Sequence, residues 1–147
     1  VRRAGATETV TRHVVSRAAD LPPGTRKRVS IENRDILVLN IKGELFALSD
    51  KCPHKGASLC GGLLTGLVRS STPGEYQYER AGEILRCPWH QWEFDVRTGR
   101  SYCDPRRMRL MQFPVALEAG ADVVEGPYVT ETFNVSIEDE YIVLEMP

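Results

Sequence analysis

Residues 25–62 read TRKRVSIENRDILVLNIKGELFALSDKCPHKGASLCGG, and this stretch decides the fold. Its first half alternates or runs apolar between short turn signals, Glu32-Asn33 and Lys42-Gly43, each two residues long. Two-residue turns of this kind close antiparallel hairpins, so strands are predicted over residues 25–31, 35–41 and 44–48. The pattern then breaks over residues 49–62, a loop with four Gly or Pro residues and the pair Cys52 and His54. A meander of hairpins running into a turn-rich Cys/His loop sets the expectations for the rest of the chain.

Upstream, residues 13–17 read as a strand, and Leu21-Pro22-Pro23-Gly24 as the turn into the meander. Residues 18–21 suit a single helical turn, and helix signals are weak elsewhere. Downstream, two short strands are expected before a second break over residues 87–91, where Cys87-Pro88-Trp89-His90 repeats the pairing of one thiol with one imidazole. Further strands are predicted at 92–96, 110–117, 128–133 and 141–144, the last two flanking the polar turn Glu138-Asp139-Glu140. The fold class expected is all-β. Residues 1–10 read as a flexible N-terminal segment and residues 11–147 as one domain.

With 147 residues, 41% of them hydrophobic and 27% charged, the chain has room for one sizeable core and none for a separate catalytic domain. A formal net charge of −1 offers no broad basic field for nucleic acid or an anionic membrane surface. No apolar run reaches the roughly 18 residues of a membrane span, and the start has no secretory h-region, so a cytoplasmic location is the expectation. The sequence opens at Val1 rather than Met, which leaves a targeting segment open.

Cys52, His54, Cys87 and His90 form a ligand set: two loops can grip one metal centre from both sides. If the centre is a [2Fe–2S] cluster, the two histidines replace two cysteines on one iron and raise its potential. Two other readings stand beside it. A Cys2His2 zinc finger uses the same ligand types but pairs cysteine with cysteine and histidine with histidine along the chain. A Cys52–Cys87 disulfide leaves both histidines without a role. His13 has no ligand-type neighbour and reads as structural or solvated.

At these residues the sequence resembles the Rieske iron–sulfur family, with its Cys-X-His and Cys-X-X-His loops. The runs CPHKGASL (52–59) and CPWHQWEFDVRTG (87–99) are similar to the cluster loops of soluble bacterial Rieske ferredoxins and of ring-hydroxylating oxygenases. The resemblance covers roughly residues 14–144. It implies a small β-sandwich whose tip holds one cluster between two loops, with Cys52 and Cys87 on the inner iron and His54 and His90 on the outer. It also implies a one-electron carrier, fed by a flavin-dependent reductase and delivering to an oxygenase or similar enzyme, rather than a catalyst by itself. A small subunit of a nitrite reductase-type or multi-chain oxygenase complex is the alternative. An oxygenase needs a mononuclear iron held by two histidines and a carboxylate, and only His13 remains for one.

Tyr102-Cys103-Asp104-Pro105 matches the proline-containing loop that covers the family's cluster. Lys55 suits either a docking charge or a solvated loop. Two departures stand out. The spacer between His54 and Cys87, residues 55–86, is about twice the length usual in small Rieske ferredoxins, which suggests an inserted hairpin near 69–82. In it Tyr76 and Tyr78 alternate with Gln77 as in a half-buried strand. Gln91 stands where relatives usually have glycine and crowds the tip.

The high-potential respiratory branch braces its cluster with a disulfide between the two loops, and the corresponding residues here are Ala57 and Trp89. That branch also donates serine and tyrosine hydroxyls to sulfur, where this chain has Trp92 and Phe94. A low potential is expected. Cys60 and Cys103 are surplus to the ligand set and read as small buried hydrophobes, with a redox or cluster-repair role as the alternative.

Overall fold

The computed structural model describes residues 10–53, 56–89, 92–102, 108–126, 128–129 and 135–147, with backbone alone at 67–71, 125 and 129. Ten strands account for most of it: β1 (Thr11–Arg17), β2 (Arg26–Ile31), β3 (Arg34–Ile41), β4 (Glu44–Ser49), β5 (Leu63–Thr72), β6 (Glu75–Arg86), β7 (Glu93–Asp95), β8 (Val115–Ala119), β9 (Tyr128–Val129) and β10 (Glu140–Met146). One short helix, α1 (Gly120–Glu125), and 3-10 turns at Ala18–Asp20 and Leu59–Gly61 complete the described elements. The protein is all-β, as expected.

The chain divides into two compact units, the larger spanning Pro23–Gln112. In it β2, β3 and β4 form one antiparallel sheet, and β5, β6 and β7 another. Glu32 and Asn33 both have positive φ (51° and 66°), as do Lys42 and Gly43 (53° and 94°). That conformation suits two-residue hairpins because its twist matches the flanking strands. Leu37, Leu39, Ile41 and Leu48 from the first sheet meet Leu85, Phe94 and Val96 from the second half in one buried apolar core.

Ion pairs reinforce this unit at its edge. Glu83 on β6 accepts from Arg97 Nε at 3.0 Å, Lys42 Nζ at 3.1 Å and Arg80 Nε at 3.1 Å, and Arg97 also pairs with Glu44 at 2.8 Å. The Arg97 hydrogen bond is the main reason that the Glu83 carboxyl, despite its burial, titrates at about 2 rather than 4.5; Lys42 and Arg80 add to it. A folded-state value below the unfolded one stabilises the fold above the unfolded pKa and is lost as pH falls. Chemical denaturation should therefore show stability declining as pH drops from about 4.5 toward about 2, with the slope reduced in Glu83→Gln.

In the smaller unit, comprising the described residues of 1–22 and 113–147, the sheet order is β8-β10-β1-β9. β10 pairs antiparallel with β1 and β8, and β9 joins β1 in parallel. Val14, Val123, Tyr141 and Val143 form its core. The Tyr141 hydroxyl accepts the Ser136 N–H at 2.7 Å, pinning the turn into β10.

Several expectations change. The strand predicted over 110–117 begins only at Val115, because Pro114 has no N–H for a ladder and Gln112 makes an isolated bridge to Leu48. Helix α1 was not anticipated; six residues are too few for a helical period to register. The strands expected to be short before the second break are the longest in the molecule's described part, ten and twelve residues, joined at Pro73-Gly74. Tyr76 and Tyr78 are not half-buried but exposed, at 74% and 59%. Of the strand predicted at 128–133, residues 130–133 lie outside the described residues, as do 1–9 of the N-terminal segment.

Candidate metal centre

β4 ends at Ser49, and the backbone at once doubles back on itself. Cys52 N–H donates to Ala57 O at 2.9 Å, Gly56 N–H donates to Cys52 O at 2.7 Å, and Lys51 bridges Ser58. Gly56 occupies φ +83°, a conformation costly for other residues, so glycine suits this tight closure. The loop stands on Asp50. Its buried carboxylate accepts from Ser58 Oγ at 2.6 Å, the Cys60 N–H at 2.8 Å and Arg28 Nε at 3.1 Å. Asp50→Ala leaves these three donors without their acceptor and should lower stability by about 2 kcal/mol. Thermal melts of the cluster-free protein test this directly, since the brace does not depend on metal.

The second loop begins where β6 ends. Cys87 N–H donates to Trp92 O at 2.7 Å, and Arg86 pairs with Glu93 at 3.0 Å across its base. Trp89 stands 62% exposed on this loop. The two loops meet at their roots. A Cβ built on Gly62 would lie 2.2 Å from Arg86 O, so only glycine lets the exit of the first loop pass against the entrance of the second.

Cys52 and Cys87 are 2% and 0% exposed and share the apolar core with Ala57, Leu59 and Phe94, while Trp92 packs against it from the edge. Neither forms a disulfide, and nor does Cys60. The Cys52–Cys87 bridge considered above is thus replaced by two separate thiols. Cys60 packs against this core but is only partly buried, which corrects its reading as a buried small hydrophobe in degree. His54, Lys55, His90, Gln91 and Cys103 through Pro105 lie outside the described residues. Among the described residues, no group of three or more metal-ligating side chains comes together.

Two residues important for the loops escaped sequence reasoning. Asp50 looks like one more polar residue at a strand end, and its brace appears only when Arg28 on β2 is brought beside it. Arg80 lies in the long spacer, where nothing signals that it would reach Asp95 and Tyr102. It donates to the Asp95 carboxylate through both terminal nitrogens, at 2.8 and 3.1 Å, and to the Tyr102 hydroxyl at 2.8 Å. Burial pushes the Asp95 carboxyl up, but the Arg80 and Arg97 N–H donors outweigh it and hold Asp95 below its usual range.

Two buried thiols outside any disulfide, at the roots of adjoining loops and each followed in sequence by a histidine, are chemically suited to soft-metal ligation. Comparison with known proteins makes this specific. The model of the Rieske [2Fe-2S] domain matches residues 11–114, and the chain belongs to this family, with one Rieske-type cluster as its cofactor. Family membership also sets aside the zinc reading.

Among curated relatives, the biphenyl dioxygenase ferredoxin subunit of a Pseudomonas species is 31% identical over 106 residues, 71% of this chain and 82% of that protein. The ferredoxin component of the naphthalene 1,2-dioxygenase system of Pseudomonas aeruginosa is 28% identical over 99 residues, 67% of this chain and 80% of its own. Among solved structures, the ferredoxin of carbazole 1,9a-dioxygenase from Nocardioides aromaticivorans shares the fold at TM-score 0.60 and 20% identity, covering 93% of this chain and 98% of that one. A ferredoxin of Sphingomonas yanoikuyae does so at TM-score 0.57 and 24% identity, covering 91% and 97%. No helix among the described residues is long and apolar enough to cross a membrane.

Proposed function

We propose that Cys52, His54, Cys87 and His90 hold the cluster and that the chain carries single electrons from a flavin-dependent reductase to an oxygenase. The observation that carries this reading is the burial of Cys52 and Cys87, neither in a disulfide, in one core at the roots of two touching loops. The names of the relatives, ferredoxin components of dioxygenase systems, support the choice of acceptor. In this reading residues 11–147 work as one Rieske domain in the cytoplasm, and the hairpin near 69–82 is an insertion.

When bound, the cluster takes up and releases one electron. The chain's own residues shape that exchange. Burial of the two thiolates keeps water from the inner ligands, and the backbone bonds that close each loop hold the loops in place whether or not an electron is present. The exposed Trp89, which precedes His90 in sequence, offers a partner an apolar surface on the second loop.

Purified protein should contain about two irons and two acid-labile sulfides per chain. It should be reduced by a flavin-dependent reductase and reoxidised by an oxygenase supplied with its substrate. Stoichiometric zinc without labile sulfide would defeat the ligand reading, and reduction without reoxidation would defeat the acceptor.

A further inference from the structure

The long β5–β6 hairpin shifts register twice, between Thr65 and Leu67 and again between Arg69 and Thr72, and the first shift is the larger. Thr65 pairs with Ile84 and Leu67 with Glu79, so residues 80–83 of β6 leave the ladder opposite a single residue, Gly66. Gly66 is pressed there: a Cβ on it would lie 2.4 Å from Glu79 O. Arg80 and Gly82 turn through positive φ, 54° and 79°. For arginine this conformation is unfavourable, and it persists because the surroundings hold it.

What holds it is the guanidinium. Nη1 and Nη2 grip the two oxygens of Asp95 at 3.1 and 2.8 Å, Nη1 also donates to the Tyr102 hydroxyl at 2.8 Å, and Nε donates to Glu83 at 3.1 Å. Asp95 ends β7, the strand that continues directly from the Cys87 loop, and Tyr102 N–H donates to Glu93 O at 2.9 Å at the start of that strand. One side chain at the root of the long hairpin thus fastens both ends of the strand on which the second ligand loop stands.

We propose that Arg80 is a positioning residue for the metal centre: through Asp95 and Tyr102 it fixes β7 and hence the Cys87 loop, while the distal arm of the hairpin beyond it is dispensable for the cluster. This rests on the ligand reading above. The fork geometry matters more than the charge, because lysine cannot serve Asp95 bidentately and Tyr102 at once.

The test uses the cluster-loaded protein, with loss of visible absorption under a chelator as one readout and the visible circular dichroism of the intact cluster as the other. Arg80→Gln should release the cluster roughly tenfold faster and Tyr102→Phe about threefold, with the double variant no faster than Arg80→Gln, because the two residues share one interaction. Arg80→Lys should fall between Arg80→Gln and wild type. The Arg80→Gln and Tyr102→Phe variants should also alter the dichroism bands. Arg97→Gln removes a guanidinium from the same ion-pair group while sparing all of Arg80's partners; it should lower thermal stability and leave both cluster readouts unchanged. Replacing residues 68–78 with Asn-Gly keeps the Leu67–Glu79 pair and Arg80, and should leave release within about twofold of wild type.

The proposal is overturned if Arg80→Gln behaves as wild type, or if Arg97→Gln accelerates release as much. It is overturned in part, as to the dispensable arm, if the truncated protein loses the cluster with Arg80 in place. Iron and sulfide in wild type are counted first: their absence overturns the ligand reading and this one together, whereas a full count with equal release rates overturns this one alone.

Discussion

Cys87→Ala is expected to abolish cluster assembly, with loss of visible absorption and of bound iron. The thiol is fully buried beside Cys52, Phe94 and Leu85, so no solvent-borne ligand has access to replace it. Alanine, by contrast, suits the site sterically, and the Cys87 N–H bond to Trp92 O that closes the loop uses backbone alone. The variant is therefore expected to fold, and to melt within a few degrees of cluster-free wild type, since it vacates only a sulfur-sized volume. Both should melt well below the cluster-loaded protein, because ligation energy is coupled to ordering the loops. Iron analysis with paired melts checks this. A normal cluster in Cys87→Ala would show the ligand assignment to be wrong.

The second large effect is on potential. Rieske centres span about −150 to +300 mV, and hydrogen bonds to sulfur are among the levers that set the value. Phe94 occupies a fully buried place in the core that contains both cysteines, and it offers no hydrogen-bond donor there. Direct electrochemistry should therefore place the wild type near the bottom of that range. Phe94→Tyr adds a hydroxyl in this core. A bond to sulfur that strengthens by about 1 kcal/mol on reduction raises a one-electron potential by roughly 40 mV. The expected outcome is a rise of that order. If the hydroxyl found no acceptor, the variant would instead lose about 1–3 kcal/mol of stability with its potential unchanged. A wild-type value well above zero would overturn the hydrogen-bond argument itself.

The polar features around the ligand loops bear on both experiments. Asp50 below the first loop and Arg80 beside the second hold the backbone by bonds that need no metal. For this reason the ligand variants are expected to lose the cluster without losing the fold. Acidification should work the other way: as Glu83 takes up a proton, its bonds to Arg97, Lys42 and Arg80 weaken and the fold loses their contribution.

The sequence by itself determined the hairpins of β2 to β4 and the two Cys/His loops, since each is written in adjacent residues. Glu32-Asn33 and Lys42-Gly43 carry their turn conformation within two residues, and a thiol two or three positions before an imidazole is a donor set whatever surrounds it. The burial of Cys52 and Cys87 as separate thiols and the exposure of Tyr76 and Tyr78 were decided by tertiary structure. So were the grip of Asp50 on Arg28 and of Arg80 on Asp95 and Tyr102. Exposure depends on whether another layer covers a strand, and local alternation is the same in either case. A charge's partner, likewise, can lie tens of residues away, as Lys42 does from Glu83, and only the folded chain brings the two within 3.1 Å.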